Sequence, residues 1–450
     1  MGGVLAAGAL FVATSLVWRP GEAPILLFLI FYHWVQAATL PVQAMLAAAP
    51  MSEFLVLGKT VVSPEALEHA TVLSLSAIVA LAFGIALGAG APRRGNSDMA
   101  RQVILRRNDS VFFGMYAVSA ALATAVGAVA WIQPGLAQPL VALAGFKWAF
   151  YWLLAYHSFV SGGTLRYFAL AFAIEFVASI GGFFADFRAV FVMTACAFIA
   201  AGMRLTRGAL AAVAVLVVVV IFLATLWTAI KGPYRAFVSG GQATQVVSVG
   251  FPERAAKIAE LVSEIDAVAM TEAAATLAER FAYVEVFAAV IEVVPALIPH
   301  EAGALWIDAL TRPFMPRLLF PDKAALNDSQ QVNKYSGLQV SGIEEATSIS
   351  IGYVGETYID FGSYGVVPAI FLWGVVIGLV YRWISYGSAT RGPLGMGLAC
   401  AALFPISALE TSLPKAVGLL ATTSLAAVVV SRLLVPRLCG WLQVKPDRRT

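Results

Sequence analysis

The amino-acid sequence predicts an all-α fold, a polytopic transmembrane helical bundle of about eleven spans with one long, partly helical loop outside the bilayer. Three observations support this prediction. Of the 450 residues, 60% are hydrophobic and only 12% are charged, and the mean hydropathy is +0.83. A soluble chain has roughly 25% charged residues. The apolar residues also occur in runs that approach the ~20 residues a helix needs to cross the hydrocarbon core.

Eleven apolar runs come close to this length. They lie at 2–18, 24–46, 71–91, 111–132, 138–158, 166–184, 187–203, 208–230, 363–381, 394–412 and 414–435. The first run gives the weakest signal, because it is short, and it lacks the leading basic residue of a cleaved signal peptide. The predicted organisation is an N-terminal transmembrane bundle of about eight spans at 1–230, an extracytoplasmic loop region at 231–362, and C-terminal spans with a tail at 363–450.

The distribution of Lys and Arg predicts the orientation of the chain, because these residues are costly to move across a membrane. If the eleven spans alternate, most basic residues fall on one side, including the cluster at 93–107 and the tail at 445–449. That side is predicted to be cytoplasmic. The segment 231–362 holds 16 of the 26 acidic residues and 9 of the 29 Lys and Arg. It is therefore predicted to fold over the outer surface.

Within the outer segment, residues 270–294 are predicted to form one amphipathic helix, because apolar residues recur there every three or four positions. Arg280 lies on the shoulder of the apolar stripe, where its guanidinium can face a phosphate. The region 299–335 is dense in Pro, Gly and charge, as binding and catalytic loops often are; a passive cap is the alternative interpretation. The residues off the stripe, interpreted as a solvated acidic face, are Glu272, Glu279, Glu285 and Glu292.

Two stretches carry a resemblance to a known family. Residues 315–323 read Met-Pro-Arg-Leu-Leu-Phe-Pro-Asp-Lys, and residues 355–365 read Gly-Glu-Thr-Tyr-Ile-Asp-Phe-Gly-Ser-Tyr-Gly. The chain here resembles the bacterial oligosaccharide repeat-unit polymerases (Wzy-like), relatives of the O-antigen ligases. That family typically shows Pro-Arg followed by Trp-Pro-x-Lys-Pro, and then Gly-Glu-x-Tyr-x-Asn-Phe-Gly-x-x-Gly. The chain departs from these patterns at Phe320, Ala324 and Asp360.

The resemblance implies a glycosyltransferase type C-like fold and an inverting enzyme that polymerises polyprenyl-diphosphate-linked oligosaccharide repeat units, as in O-antigen, capsule or exopolysaccharide synthesis. It implies a multi-pass protein of the bacterial cytoplasmic (inner) membrane with its active site facing the periplasm or exterior. The expected partners are the lipid-linked oligosaccharide and membrane lipids, with a chain-length regulator as a candidate protein partner. No nucleic acid, cofactor or metal is expected.

Such a transfer needs a base for the acceptor hydroxyl and cations for the leaving diphosphate. His300, the one histidine in the outer segment, is the predicted base, because imidazole accepts a proton at neutral pH; a surface histidine without a role is the alternative. Glu356 is the second candidate base, and a buried partner for an arginine is its competing interpretation. The predicted substrate-binding residues are Arg235, Arg280 and Arg317, with Lys323 and Tyr358.

Ionisable groups inside the spans are functional candidates by default. Lys147 and Glu175 lie near the middle of adjacent predicted spans at similar depth, so they are predicted to pair, with a proton relay as the alternative. His33 and His157 have no evident partner in the sequence. They are predicted to be helix-packing residues.

Two further function classes stay open. One is a ligase that transfers the glycan to a different acceptor, and the other is a transporter or flippase for lipid-linked glycans. Transporters more often show two pseudo-symmetric halves with interrupted helices near the midplane. In this chain the polar residues are concentrated in one loop, which favours a transferase.

Overall fold

A computed structural model describes residues 2–56, 62–92, 108–162, 164–180, 187–202, 207–240, 249–316, 319–320, 322–324, 326–340, 349–387, 392–434 and 437. Across these residues the regular elements are all helical, as predicted. The α-helices are α1 Gly2–Val17, α2 Ile25–Ala47, α3 Pro64–Ala89, α4 Asp109–Ile132, α5 Ala137–Gly145, α6 Lys147–Ser161, α7 Arg166–Ile180, α8 Arg188–Ala200, α9 Arg207–Val238, α10 Phe251–Ser263, α11 Ala267–Arg280, α12 Tyr283–Val293, α13 Ala304–Thr311, α14 Asp328–Ser336, α15 Gly352–Tyr386, α16 Pro393–Leu403 and α17 Leu413–Val429.

Seven segments in the described part of the chain are long and apolar enough to cross a membrane. They are Ile25–Ala47, Pro64–Ala89, Asp109–Ala130, Ala137–Ser161, Val217–Val238, Gly352–Tyr386 and Leu413–Leu434. The other four predicted spans correspond to the shorter helices α1, α7, α8 and α16, of 16, 15, 13 and 11 residues. The structure therefore supports a membrane protein with seven candidate spans.

The most extensive helix pair joins α3 to α15. Each helix has two glycines four residues apart, Gly84 with Gly88 and Gly374 with Gly378. A Cβ atom on Gly84 would lie 2.1 Å from the carbonyl oxygen of Phe371, and one on Gly374 would lie 2.4 Å from that of Leu81. Small residues at this spacing let two membrane helices approach backbone to backbone. This contact fixes the first turns of α3 beside the first half of α15.

A buried polar network closes one end of the bundle. Arg19 Nε donates to Glu22 Oε2 at 2.7 Å, and its Nη1 donates to the carbonyl of Gly90 at 2.8 Å. Tyr381 and Tyr386, at the end of α15, both donate their hydroxyls to the Glu22 carboxylate. Three segments that the charge pattern assigns to the cytoplasm thus meet at the same end.

The predicted pairing inside the spans is confirmed. Lys147 Nζ lies 2.5 Å from Glu175 Oε2, and Tyr116 donates its hydroxyl to the other oxygen of Glu175 at 3.0 Å. His33 packs within α2, and its Nδ1 lies 2.6 Å from the carbonyl oxygen of Leu29. His157 has a partner that the sequence pattern did not identify, because its Nε2 lies 2.7 Å from Asp109 Oδ1.

The prediction of one amphipathic helix over 270–294 is wrong. The stretch forms two helices, α11 and α12, which are separated at Phe281 and Ala282. Nearly every residue of α12 is buried, because the helix packs between α3, α14 and α2. A helix enclosed on most sides cannot be the half-exposed helix that the apolar stripe predicts.

Two of the glutamates assigned to the solvated face are likewise placed differently. Glu285 is only 2% exposed and accepts the N–H of Val56 at 2.8 Å. Glu292 accepts the N–H of Ser63 at 2.8 Å. Both carboxylates therefore hold the connection between α2 and α3, whose backbone donors need partners when they are covered.

Candidate functional site

A break in α15 creates the candidate site. Gly362 adopts φ 65° and ψ −172°, a conformation restricted almost entirely to glycine. The break interrupts the helical hydrogen bonds, so the preceding carbonyl groups need other partners. The carbonyl of Ile359 accepts the backbone N–H of Glu301 at 3.0 Å. The irregular segment after α12 is thereby attached to the break.

His300 lies directly over this break. Its Nδ1 lies 3.2 Å from the Ile359 carbonyl oxygen. Because a carbonyl can only accept, Nδ1 carries the proton, and Nε2 keeps its lone pair in the neutral ring. Nε2 faces Gly362, where an added Cβ would lie 3.0 Å away. The absence of a side chain at Gly362 makes room for the imidazole.

Tyr358 packs against the ring of His300. The edge of its ring meets His300 at a centroid distance of 5.6 Å, and its hydroxyl donates to the carbonyl of Val294 at 3.0 Å. Tyr358 is only 4% exposed. The sequence predicts that Tyr358 binds substrate, whereas these contacts favour a role in orienting His300.

A second histidine, His69 in the first turns of α3, also lies beside the break. Its Nε2 lies 3.0 Å from the hydroxyl of Ser363, one residue after the break. Its ring meets Tyr358 edge to face at a centroid distance of 6.4 Å, so the ring of Tyr358 meets both imidazoles. His69 is not among the site residues predicted from the sequence. The available signal was a histidine in the predicted outer loop immediately before an apolar run.

Asp360 attaches α13 to the same break. Its two carboxylate oxygens accept the N–H groups of Leu305 at 3.1 Å and Trp306 at 2.8 Å, in the first turn of α13. Trp306 also donates its indole N–H to Thr357 at 3.1 Å. A negative charge at a helix N-terminus is favourable. Asp360, one of the departures from the family pattern, therefore suits this position.

Glu301, next to His300, links the site to α14. Its Oε1 accepts the hydroxyl of Tyr335 at 2.5 Å and pairs with Lys334 at 3.1 Å. The hydrogen bond from Tyr335, followed by that from Lys334, holds the pKa of Glu301 below its ordinary value. These contacts make Glu301 a support for the loop.

Glu356, the alternate base, is buried one turn before Asp360. Its Oε2 accepts the N–H of Leu413 at 2.6 Å, at the start of α17. The competing interpretation, a partner for an arginine, is not what these contacts show; Lys415, close by on α17, pairs instead with Asp328. Glu356 is 6% exposed, so the geometry favours a role in joining α15 to α17.

The predicted diphosphate ligands are distributed over several parts of the structure. Lys323 donates to the carbonyl oxygens of Arg312 and Met315, at 2.7 and 3.0 Å, and so closes a turn of its own loop. Arg235 lies near the end of α9, which packs on α10 and α11 around Tyr234. Arg280 is the last residue of α11. Arg317 lies outside the described residues.

Comparison of the chain with protein-family models, with curated proteins and with solved structures gives no match. The resemblance to the repeat-unit polymerases therefore rests on the motif residues of the sequence alone. The geometry of the site rests on the structure alone.

Proposed function

We propose that this protein is an inverting membrane glycosyltransferase that polymerises polyprenyl-diphosphate-linked oligosaccharide repeat units at the outer face of a bacterial cytoplasmic membrane. The observation that carries the proposal is His300, whose ring is oriented by Ile359 and Tyr358 so that Nε2 is the basic nitrogen. The family motif includes Gly362, the residue that makes room for this ring. The family motif and His300 therefore contribute to the same site.

In the proposed reaction, Nε2 of His300 takes the proton from an acceptor sugar hydroxyl. The hydroxyl oxygen forms a bond to the anomeric carbon of the donor, and the bond from that carbon to the diphosphate breaks. The electron pair leaves with the polyprenyl diphosphate, so the configuration at the carbon inverts. Arginine side chains suit the stabilisation of this leaving group, because the guanidinium donates paired hydrogen bonds and stays charged.

The substitution His300→Gln tests the assignment of the base, because glutamine keeps a polar side chain but cannot take a proton. Purified protein in detergent should extend polyprenyl-diphosphate-linked repeat units into a ladder of products. We expect His300→Gln to slow the ladder by about 10²–10⁴-fold while the thermal unfolding profile stays unchanged. A normal ladder from this variant would remove His300 from the mechanism. Movement of the substrate across liposomes with no new glycosidic bond would contradict the polymerase.

Arg317→Lys tests the leaving-group site. Lysine keeps the charge but loses the two-pronged donor, so we expect the product ladder to fall nearly as far as in Arg317→Ala. Arg312→Lys is the matched control nearby, because Arg312 pairs with Asp308 of α13 at 2.6 Å. Full activity in Arg317→Lys together with loss in Arg317→Ala would indicate that charge alone is needed there.

A further inference from the structure

An apolar groove of about 830 Å³ runs along the outside of the bundle between α1, α3 and α15. Gly8 and Val12 line it from α1, Val72 and Phe83 from α3, and Val367 and Phe371 from α15. Of the fourteen described residues that line the groove, Ser76 is the only one with a polar side chain. The groove therefore accepts hydrocarbon along most of its length.

One end of the groove lies about one helical turn from the candidate site. Val72 follows His69 by three residues on α3, and Val367 follows Ser363 by four on α15, so each pair shares a helix face. His69 and Ser363 are in contact with each other at 3.0 Å. The groove therefore begins about one helical turn from this polar pair, which lies beside the break under His300.

The groove extends away from this pair towards the middle of the candidate spans. On the α3 wall, Phe83 follows Val72 by eleven positions, a rise of about 16 Å at 1.5 Å per residue. That is roughly half of a ~30 Å hydrocarbon core. The groove is also open, because Val72, Phe83 and Val367 are 42%, 48% and 41% exposed. Among the described residues, no heavy atom of a neighbouring helix lies within 4 Å of a Cβ placed on Gly8.

We propose that this groove binds the isoprenoid chain of a polyprenyl-diphosphate substrate, with its head-proximal units beside His69 and Ser363. The inference rests on the proposed function for the identity of the substrate. A lipid whose polar head must reach His300 and whose tail stays in the bilayer needs a channel that is polar at one end and apolar beyond it. An ordinary diacyl phospholipid has no group that reacts at that end.

The test uses a geranylgeranyl diphosphate analogue that carries a diazirine near the end of its chain. The purified full chain in detergent is illuminated with this probe, and cross-linked peptides are identified by mass spectrometry. We expect cross-links in the stretches 8–12, 79–83 and 367–371. Unlabelled polyprenyl diphosphate should compete, whereas phosphatidylglycerol should not. Equal competition by phosphatidylglycerol, or labelling mainly elsewhere in the chain, would overturn the proposal.

Gly8→Leu fills the groove without a clash, because the space above Gly8 is open. We expect it to reduce cross-linking by about tenfold, the change that corresponds to losing the burial of roughly two methylene groups. Gly127→Leu on α4 is the matched control, since Gly127 is equally open but does not line the groove. Equal labelling of wild type and Gly8→Leu would contradict the groove as the binding site.

These experiments distinguish a failure of the isoprenoid-binding groove from a failure of the proposed glycosyltransferase activity. If the wild type extends glycans while Gly8→Leu neither loses labelling nor slows extension, the groove is wrong and the transferase stands. If competition and Gly8→Leu behave as expected but no glycosidic bond forms, the isoprenoid site stands and the transferase is wrong.

Discussion

The two ends of α15 hold polar groups in opposite ways. At the Tyr381–Tyr386 end, the Glu22 carboxylate is enclosed by Arg19 and two tyrosine hydroxyls, and the helix is regular. At the other end the helix breaks at Gly362, and His300 uses one ring nitrogen to hold its position while the other faces the break. A polar network whose members satisfy one another stabilises a structure. A positioned group with remaining hydrogen-bonding capacity is able to do chemistry.

The largest expected effect compares two buried carboxylates, one from each end. Glu22→Gln removes the charge that compensates Arg19, whose side chain is 7% exposed. We expect the free energy of unfolding to fall by about 3–5 kcal/mol, because an uncompensated buried charge remains. Denaturant unfolding in detergent micelles measures this change.

Glu356→Gln is the counterpart at the site end. Its side-chain carbonyl oxygen can still accept the N–H of Leu413, and the described contacts give Glu356 a backbone donor as its hydrogen-bond partner. We therefore expect a loss of about 1 kcal/mol or less and an active enzyme. If Glu22→Gln and Glu356→Gln destabilised the protein equally, the two ends of α15 would not differ in how they hold buried carboxylates.

A second, smaller effect separates backbone strain from the placement of His300. Gly362→Ala forces alanine into a glycine-only conformation and pushes a Cβ against Nε2, so we expect a loss of about 1–3 kcal/mol in stability together with a loss of glycan extension. Gly162, after α6, also has a positive φ of 63° but has open space around it. Gly162→Ala should cost stability without reducing extension, and reduced extension in both would attribute the effect to folding.

The smallest expected effect concerns Glu301 at the rim of the site. Because its pKa is lowered in the folded state, its contribution to stability is present above the pKa of the unfolded chain and is lost as the pH falls through the folded value. The contacts are partly exposed, so we expect roughly 0.2–1 kcal/mol. Glu301→Gln should flatten the decline in stability on the acidic side of about pH 5. An unchanged acid profile would mean that other carboxylates account for it.

The site illustrates which residues could be predicted from the sequence. His300 was identifiable because it is the one histidine of a polar loop, and the Gly-Glu-x-Tyr run indicated where that loop meets a span. His69 was not identifiable, because its place beside the break depends on the contact between α3 and α15 through Gly84 and Gly374. Tyr358 was named for a substrate contact, but the fold places it in the interior.

By itself, the sequence determined the helical class and the presence of long apolar segments, because these follow from composition and from the cost of leaving backbone groups unpaired in lipid. It also determined the pairing of Lys147 with Glu175, since two opposite charges at one depth stabilise each other. Only the tertiary structure decided which polar side chains are enclosed by partners, as Glu22 is, and which keep a group that faces the site, as His300 does. Nothing in the sequence distinguishes Glu285 and Glu356 from other glutamates. In the fold both are buried and accept hydrogen bonds from backbone N–H groups that are far away in the chain. Such contacts depend on how the helices pack, and that packing is set by many weak contacts acting together.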